Sequence, residues 1–174
     1  MDLTSAHGCA TTERDEVDHV LAAWRRERPD LDTCPMEVWS RITRLAQLLD
    51  GARARAYAAH ELQVWEFDVL AALRRAGDPP RLSPGRLVRE THVTSGTMTN
   101  RIDRLESRGL VRRFAHPSDG RCVLVELTAE GSARVDASMA DLLAAERSLA
   151  TGLGDEEFRT LGVLLRTLLI SQGS

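Results

Sequence analysis

The sequence predicts a mainly α-helical protein with one small β-hairpin. Apolar residues recur at helical spacing along most of the chain, and aromatic residues, at 4%, are too scarce to dominate the core. A core of Leu, Ala and Val is therefore expected, and such a composition favours helices. Two short runs on either side of a Pro-Ser-Asp-Gly-Arg turn predict the hairpin. At 174 residues, the chain has the length of one ordinary domain.

Three helices are predicted in the first half of the chain. The first begins at Thr12, with acidic residues in its first turn where the helix dipole favours negative charge, and ends near Arg28 because Pro29 follows. The second runs from about residue 35 to 59, and the third from about residue 62 to 75. Both carry an apolar stripe at helical spacing.

A pair of helices separated by a short turn follows. Ser83 is a good N-cap with Pro84 behind it, and this fourth helix ends near Thr91. The fifth helix spans about 94–108, and Gly109 stands where a helix-terminating glycine belongs. The segment therefore predicts a helix-turn-helix.

The hairpin comes directly after the helix pair. Its predicted strands are Val111–Phe114 and Cys122–Leu127, so the central unit is a winged helix-turn-helix. Thr128 then caps a long helix to about Ala150, and a final helix starts at Asp155, itself the expected N-cap, and reaches about residue 170.

The fifth helix has two unlike sides, which suggests a use. At about 100° per residue, Met98, Ile102 and Leu105 share one side, and polar residues fall on the opposite side. Hydroxyl, amide and guanidinium groups are those that meet phosphates, adenine and guanine in a major groove, and an arginine on the wing can enter a narrow minor groove. The predicted contacts to double-stranded DNA are Thr94, Ser95, Thr97, Asn100, Arg104 and, on the wing, Arg121.

Charge is distributed in agreement with this prediction. A net charge of −3 and a pI of about 6.0 do not favour a non-specific nucleic-acid binder, which is usually basic. Arginines are nevertheless concentrated in the central unit, which fits a sequence-specific reader. They are Arg101, Arg104, Arg108, Arg112, Arg113 and Arg121.

Several other classes of protein are disfavoured. No apolar run is long enough to span a membrane and no secretory signal is evident, so a cytoplasmic location without membrane association is expected. Cys9, Cys34 and Cys122 form no CxxC pair, so a zinc site is not expected. Without a nucleophile motif, phosphate-binding loop or metal triad, the sequence predicts neither catalytic residues nor a cofactor.

The terminal helices carry more leucine than the small central unit covers. A helical homodimer is the economical solution, and it would present two recognition helices to a two-fold symmetric operator. The expected organisation is a disordered N-terminus (1–12), N-terminal helices (13–60), a winged helix-turn-helix DNA-binding lobe (61–131) and C-terminal dimerisation helices (132–174).

The run SGTMTNRIDRLESRGLVRR, the DGR at 119–121 and the VLVELTAEG that ends at Gly131 resemble the MarR family of dimeric winged-helix transcription regulators. The helix order fits from about residue 13 to 172. The chain also resembles the urate-responsive, PecS-like subgroup, to which Trp24, Asp68, Thr99 and Arg101 correspond. The resemblance implies that these four residues line an effector pocket between the dimer body and the DNA-binding lobe, with urate as the effector.

The chemistry of such a pocket is coherent. Urate is a planar anion, for which an arginine supplies a fork of donors and a tryptophan a flat wall. In the free protein Asp68 is expected to pair with Arg101, which lies about 65° from the apolar side of its helix. An anion would compete with Asp68, shift the helix and lower DNA affinity, so the expected protein is a repressor released by its ligand.

Two alternatives stay open. An oxidant sensor of the same family would use Cys34, whose place before Pro35 at a helix start can lower a thiol pKa. The other alternative is a winged helix that binds a protein instead of DNA. Salt-dependent binding to a promoter fragment, measured by gel shift, would indicate a DNA-binding protein.

Overall fold

The computed structural model describes residues 13–116 and 119–173, and the side chains of residues 116–122 lie outside that description. The predicted disorder of residues 1–12 and the wing tip at 117–118 therefore fall outside it. The chain divides after Leu48 into two compact units.

The N-terminal unit contains α1 (Glu16–Glu27) and the first part of α2 (Cys34–Ala58). Helix α1 begins four residues later than predicted because Asp15 caps it. The backbone N–H groups of Asp15 and Asp18 each donate to the other's carboxylate, at 3.0 and 2.9 Å. Arg41 of α2 donates to the same two carboxylates at 2.7 and 2.8 Å. The end of α1 is as predicted.

The second unit begins with the rest of α2, followed by α3 (Val64–Arg75), α4 (Pro84–Thr91) and α5 (Ser95–Ser107). The predicted helix pair is confirmed. Ser83 caps α4 by accepting from the Arg86 N–H at 3.3 Å.

The sheet has three strands rather than the two predicted. Strand β1 (Arg81–Leu82) pairs antiparallel with β3 (Asp119–Leu127), which also pairs with β2 (Val111–His116), so the order is β1-β3-β2. Two residues are too few to show a strand pattern in the sequence. Buried Glu126 of β3 lies between Arg81 at 3.5 Å and Arg112 at 2.9 Å.

Helices α6 (Ala129–Leu149) and α7 (Asp155–Ser171) complete the unit. Thr128 caps α6 as predicted, since its hydroxyl accepts from the Gly131 N–H at 3.0 Å. The prediction that Asp155 caps α7 is wrong by one residue. Gly154 is the cap, and its N–H donates to the Glu157 carboxylate at 2.8 Å.

The core of the second unit draws on every element from α2 to α6. Its most enclosed side chains include Leu70, Leu73, Leu87, Met98, Ile102, Leu105, Leu110 and Val125. The predicted fold class, mainly α with a small β-wing built as a winged helix-turn-helix, is confirmed. Among the described residues, no helix is both long and apolar enough to cross a bilayer.

Replacing Gly131 with alanine is expected to destabilise the fold, because the added Cβ would lie 2.0 Å from the Leu110 carbonyl oxygen. That oxygen belongs to the backbone, so α6 or the segment leading into β2 has to move, and overpacking of this kind costs about 1–3 kcal/mol. Urea denaturation at fixed protein concentration measures the loss.

Gly85→Ala is the matched control, since no atom of the described residues lies within 4 Å of its Cβ position. Its free energy of unfolding should stay unchanged or rise slightly, because alanine has the higher helix propensity. Equal denaturation midpoints for the two variants would contradict the close approach at Gly131.

Candidate DNA-binding surface and effector site

Helix α5 lies with its apolar side in the core, as predicted. Met98, Ile102 and Leu105 are at most 1% exposed. The predicted groove residues Thr97, Asn100 and Arg104 are all exposed. The arrangement holds the helix by one side and presents the other to a partner.

The first turn of α5 is organised by hydroxyl groups. Thr94 is the N-cap, and its Oγ1 accepts from the Thr97 N–H at 3.3 Å. The hydroxyls of Thr94 and Thr97 are 2.9 Å apart, and Ser95 beside them is exposed. Hydroxyls at a helix N-terminus are suited to a phosphate.

The C-terminal end of α5 is terminated by glycine. Gly109 adopts a φ of 70°, which only glycine adopts readily. Its N–H donates to the Glu106 carbonyl at 2.9 Å, and the Leu110 N–H donates to that of Leu105 at 3.0 Å. This pair of bonds is a Schellman motif, and it turns the chain directly into β2.

An ion pair between exposed Arg108 and a buried carboxylate ties this end of α5 to the start of α3. Arg108 donates to the carboxylate of Glu66 at 2.6 Å and to the Glu61 carbonyl at 2.7 Å. Glu66 is only 2% exposed, and it also accepts from the Gln63 N–H at 2.9 Å. Both carboxylate oxygens of Glu66 therefore accept a hydrogen bond, and the carboxylate links α5 to α3.

The wing is attached to the same helix. Arg113 of β2 donates to Asp103 and Glu106 of α5, each at 2.6 Å. The recognition helix and the wing strand therefore share one set of charged contacts. The position of the strand follows that of the helix.

In the middle of α5, the guanidinium groups of two arginines lie against one aromatic ring of α3. The Cζ atoms of Arg101 and Arg104 lie 5.4 and 4.9 Å from the centre of the Trp65 ring. Trp65 is half-buried, and its Nε1–H donates to the side-chain oxygen of Gln63 at 2.6 Å. The other side of Trp65 packs against the core of this unit.

Asp68 lies one helical turn beyond Trp65 on α3. The residue is exposed, yet loss of water around its carboxyl raises the pKa, while the positive charges of Arg101, Arg53 and Arg75 oppose that rise. Within the described part of the chain, no hydrogen bond or ion pair joins Asp68 to Arg101. The expected direct pair is replaced by electrostatic proximity, and Arg101 turns to Trp65 instead.

Two charged residues near Asp68 were missed by sequence reasoning. Arg53 of α2 donates to Glu146 of α6 at 3.2 Å. The charge of Arg53 opposes the rise in the pKa of Asp68, and burial raises the pKa of the neighbouring Tyr57. Arg53 and Glu146 are far apart in the sequence, so no local pattern indicates that they form a pair. The spacing along the two helices could have pointed to Trp65. It precedes Asp68 by three residues, about one turn of α3, and Arg104 follows Arg101 by the same interval on α5.

Thr99 points away from this cluster, and the remaining predicted site residues belong to other elements. Thr99 is exposed, donates to the Ser95 carbonyl at 3.1 Å, and is about 200° around the helix from Arg101. Trp24 is 46% exposed on α1 in the other unit. Arg121 belongs to β3, and its side chain is outside the described residues. Cys34 is an exposed free cysteine and the first residue of α2.

These features define a winged-helix DNA-binding protein, and comparison with known proteins specifies its family. The MarR family model matches residues 60–121. The HTH-type transcriptional regulator PecS of Dickeya dadantii (strain 3937) is 37% identical over 150 residues, which cover 86% of this chain and 90% of the relative. The chain belongs to the MarR family of winged-helix transcription regulators, and it is not an enzyme.

Other relatives and solved structures agree. The HTH-type transcriptional repressor YetL of Bacillus subtilis (strain 168) is 28% identical, covering 74% of this chain and 76% of its own. A cysteine-to-serine mutant of Escherichia coli MarR, complexed with operator DNA, aligns with a TM-score of 0.63 at 26% identity, over 84% of this chain and 97% of that one. Bordetella bronchiseptica BpsR, whose DNA binding is regulated by 6-hydroxynicotinic acid, aligns with a TM-score of 0.61 at 29% identity, over 75% and 91%.

Arg108→Met is expected to destabilise the protein, because it leaves the Glu66 carboxylate buried without its cation. Breaking one half of a fully buried pair costs about 3–5 kcal/mol, and because Arg108 is partly exposed the loss should lie at or below the lower end of that range. Adding Glu66→Gln should recover part of the loss, so the double variant should be more stable than the sum of the two single losses implies.

The exposed pair Arg26–Glu27 serves as the control cycle, since its side chains are 73% and 67% exposed. Arg26→Met and Glu27→Gln should be nearly additive and almost without effect. Denaturation midpoints of all six variants give the coupling between the two residues in each cycle. A cycle at 66 and 108 as flat as the control would show that this ion pair does not hold α5.

Asp68→Asn is expected to raise the free energy of unfolding at neutral pH relative to the parent. The pKa of Asp68 is raised from 3.8 by loss of water, so the folded state disfavours its charged form. The gain should shrink as pH falls through the raised pKa and vanish below 3.8, where the parent carboxyl is protonated in both states.

Asp15→Asn provides a control of opposite sign, because a hydrogen bond from Arg41 lowers the pKa of Asp15. This variant should be less stable than the parent at neutral pH, and the difference should disappear as pH falls through the lowered pKa. Denaturation across the acidic range measures both. A gain from Asp68→Asn that is independent of pH would contradict the assignment.

Proposed function

We propose that this chain is a cytoplasmic homodimeric repressor that binds a pseudo-palindromic operator and is released by a small planar anion. One observation carries the proposal. The exposed face of the recognition helix and the charged cluster of Asp68 and Arg101 meet on the same two helices, α3 and α5. A ligand that changes the cluster therefore acts on the element that contacts DNA.

Dimerisation is supported by the surface of α7. None of the residues of this helix is buried in the single chain, although almost half of them are apolar. An apolar surface of this kind marks a protein interface. The exposed apolar residues of α7 are Phe158, Val163, Leu164, Leu165, Leu168, Leu169 and Ile170.

The proposed DNA contacts on α5 follow from exposure and chemistry, and the one on the wing follows from the sequence. On α5 they are Thr94, Ser95, Thr97, Asn100 and Arg104, and on the wing Arg121. The hydroxyls at the helix start suit phosphate, and the amide and guanidinium groups suit base edges. In a dimer the two half-sites should lie about one helical turn apart.

The proposed effector is an anionic purine-like molecule, and urate is the compound to test first. Among the described residues Arg101 has no ion-pair partner, and it lies against the flat ring of Trp65, so its guanidinium is available to a planar anion. The resemblance adds Asp68, Trp24 and Thr99 as further residues to test for a role in the response. A relative regulated by 6-hydroxynicotinic acid shows that one MarR-type neighbour responds to an aromatic acid.

Release requires the anion to bind the DNA-free conformation more tightly than the bound one. A negative charge at Arg101 repels the Asp68 carboxylate and changes the charges beside α5. A coupling of about 1–3 kcal/mol corresponds to roughly a 5–150-fold loss of operator affinity. An anion with equal affinity for both conformations would have no effect.

Operator binding titrated with urate tests this function, using a fragment from upstream of the protein's own gene. The parent should bind in a salt-dependent manner and be released by urate. Arg104→Ala should lose about 5–150-fold in specific affinity, the value of one good base contact. Arg101→Ala should still bind DNA but should not respond to urate, because the guanidinium proposed to bind the anion is absent.

Arg26→Ala is the control, since Arg26 is exposed on α1 and, among the described residues, pairs only with Glu27. Binding by the parent that is indifferent to urate would reject the effector and make Cys34→Ser, tested for peroxide release, the next variant. Absence of salt-dependent binding to any promoter fragment would reject the operator reader.

A further inference from the structure

Trp65 has a place in the structure that neither the predicted DNA contacts nor the predicted pocket includes. Its ring is the point where Arg101, proposed to bind the effector, and Arg104, proposed to contact DNA, come together. The hydrogen bond from Nε1 to Gln63 at 2.6 Å fixes the ring at the first turn of α3. The indole is thus held independently of the two arginines.

Arg101 and Arg104 differ from two arginines that follow them, Arg108 at the end of the same helix and Arg113 on the wing strand. Arg108 and Arg113 are held by carboxylates at 2.6 Å. Within the described residues, Arg101 and Arg104 have no carboxylate partner, and the face of Trp65 is the attractive group beside both. A guanidinium prefers to stack on an indole face, and tryptophan is the strongest aromatic partner for a cation.

We infer that Trp65 positions Arg104 for the operator and links its position to the occupancy of Arg101. The inference rests on the proposed function. In the free protein two like charges share one ring, so each limits how closely the other approaches it. An anion bound to Arg101 neutralises that charge and draws the Arg101 guanidinium away from the Trp65 ring. Arg104 then moves closer to the ring and withdraws from the DNA groove.

A double-mutant cycle on operator affinity tests the inference. Trp65→Leu removes the ring face from both arginines and should lower affinity about two- to fivefold, the range of an exposed cation–π contact. In an Arg104→Ala background the same change should have no further effect, because the ring then has no DNA-contacting arginine to position. Trp65→Phe keeps a ring face and should stay within about twofold of the parent.

The urate response is the second readout. Trp65→Leu should reduce the ratio of operator affinities without and with urate, whereas Trp65→Phe should keep most of it. Trp39→Leu on α2 is the matched control, an exposed tryptophan of the N-terminal unit that should leave the Trp65–Arg104 cycle unchanged. Thermal unfolding and sedimentation establish that each variant is a folded dimer, and Trp65→Met replaces the leucine variant if that one does not fold.

The outcomes separate the two proposals. Losses from Trp65→Leu and Arg104→Ala that simply multiply, or a leucine variant that behaves as the parent, overturn the role of Trp65 while the operator reader stands. A parent that does not bind the operator rejects the proposed function itself. A parent that binds DNA but ignores urate rejects the effector, and the affinity cycle still decides whether Trp65 positions Arg104.

Discussion

The structure depends on how the recognition helix is held, by packing against α4 and β2 and by side-chain contacts with α3. The apolar side of α5 closes the core, and the ion pair between Arg108 and Glu66 sets the end of the helix against the start of α3. A buried carboxylate can be kept only if its hydrogen-bonding capacity is used, and here the Gln63 N–H supplies the second donor. The wing follows through Arg113, so a shift of α5 displaces both DNA-contacting elements.

The contacts along α5 differ in strength from one end to the other. Near its C-terminus an ion pair with a buried, doubly hydrogen-bonded carboxylate and a Schellman turn define the helix position. In the middle, the side chains of Arg101 and Arg104 form no hydrogen bond or ion pair among the described groups and lie against the face of Trp65, which is a weaker and less directional contact. In the proposed function, an anion at Arg101 therefore acts on the more weakly held half of α5, while the contacts at its C-terminal end stay in place.

Local signals were sufficient for most of the fold. Ser83 and Thr128 were predicted as caps because a cap bonds only to its own first turn, and the buried face of α5 followed from helical periodicity. Strand β1 was missed because it exists only through its pairing with β3. The contact of Trp65 with the arginines was also missed, since it depends on the register between two helices that no local pattern encodes.

Hydrogen exchange on the operator-free protein tests the central claim most directly, that an effector acts through the contact between α3 and α5. Urate binding is first established by calorimetry, and exchange is then compared with and without it for peptides covering Val64–Arg75 and Ser95–Ser107. The account predicts that protection changes in these two helices while the core strand β3 keeps its protection. Changes confined to other elements, with α3 and α5 unaltered at saturating urate, would contradict it.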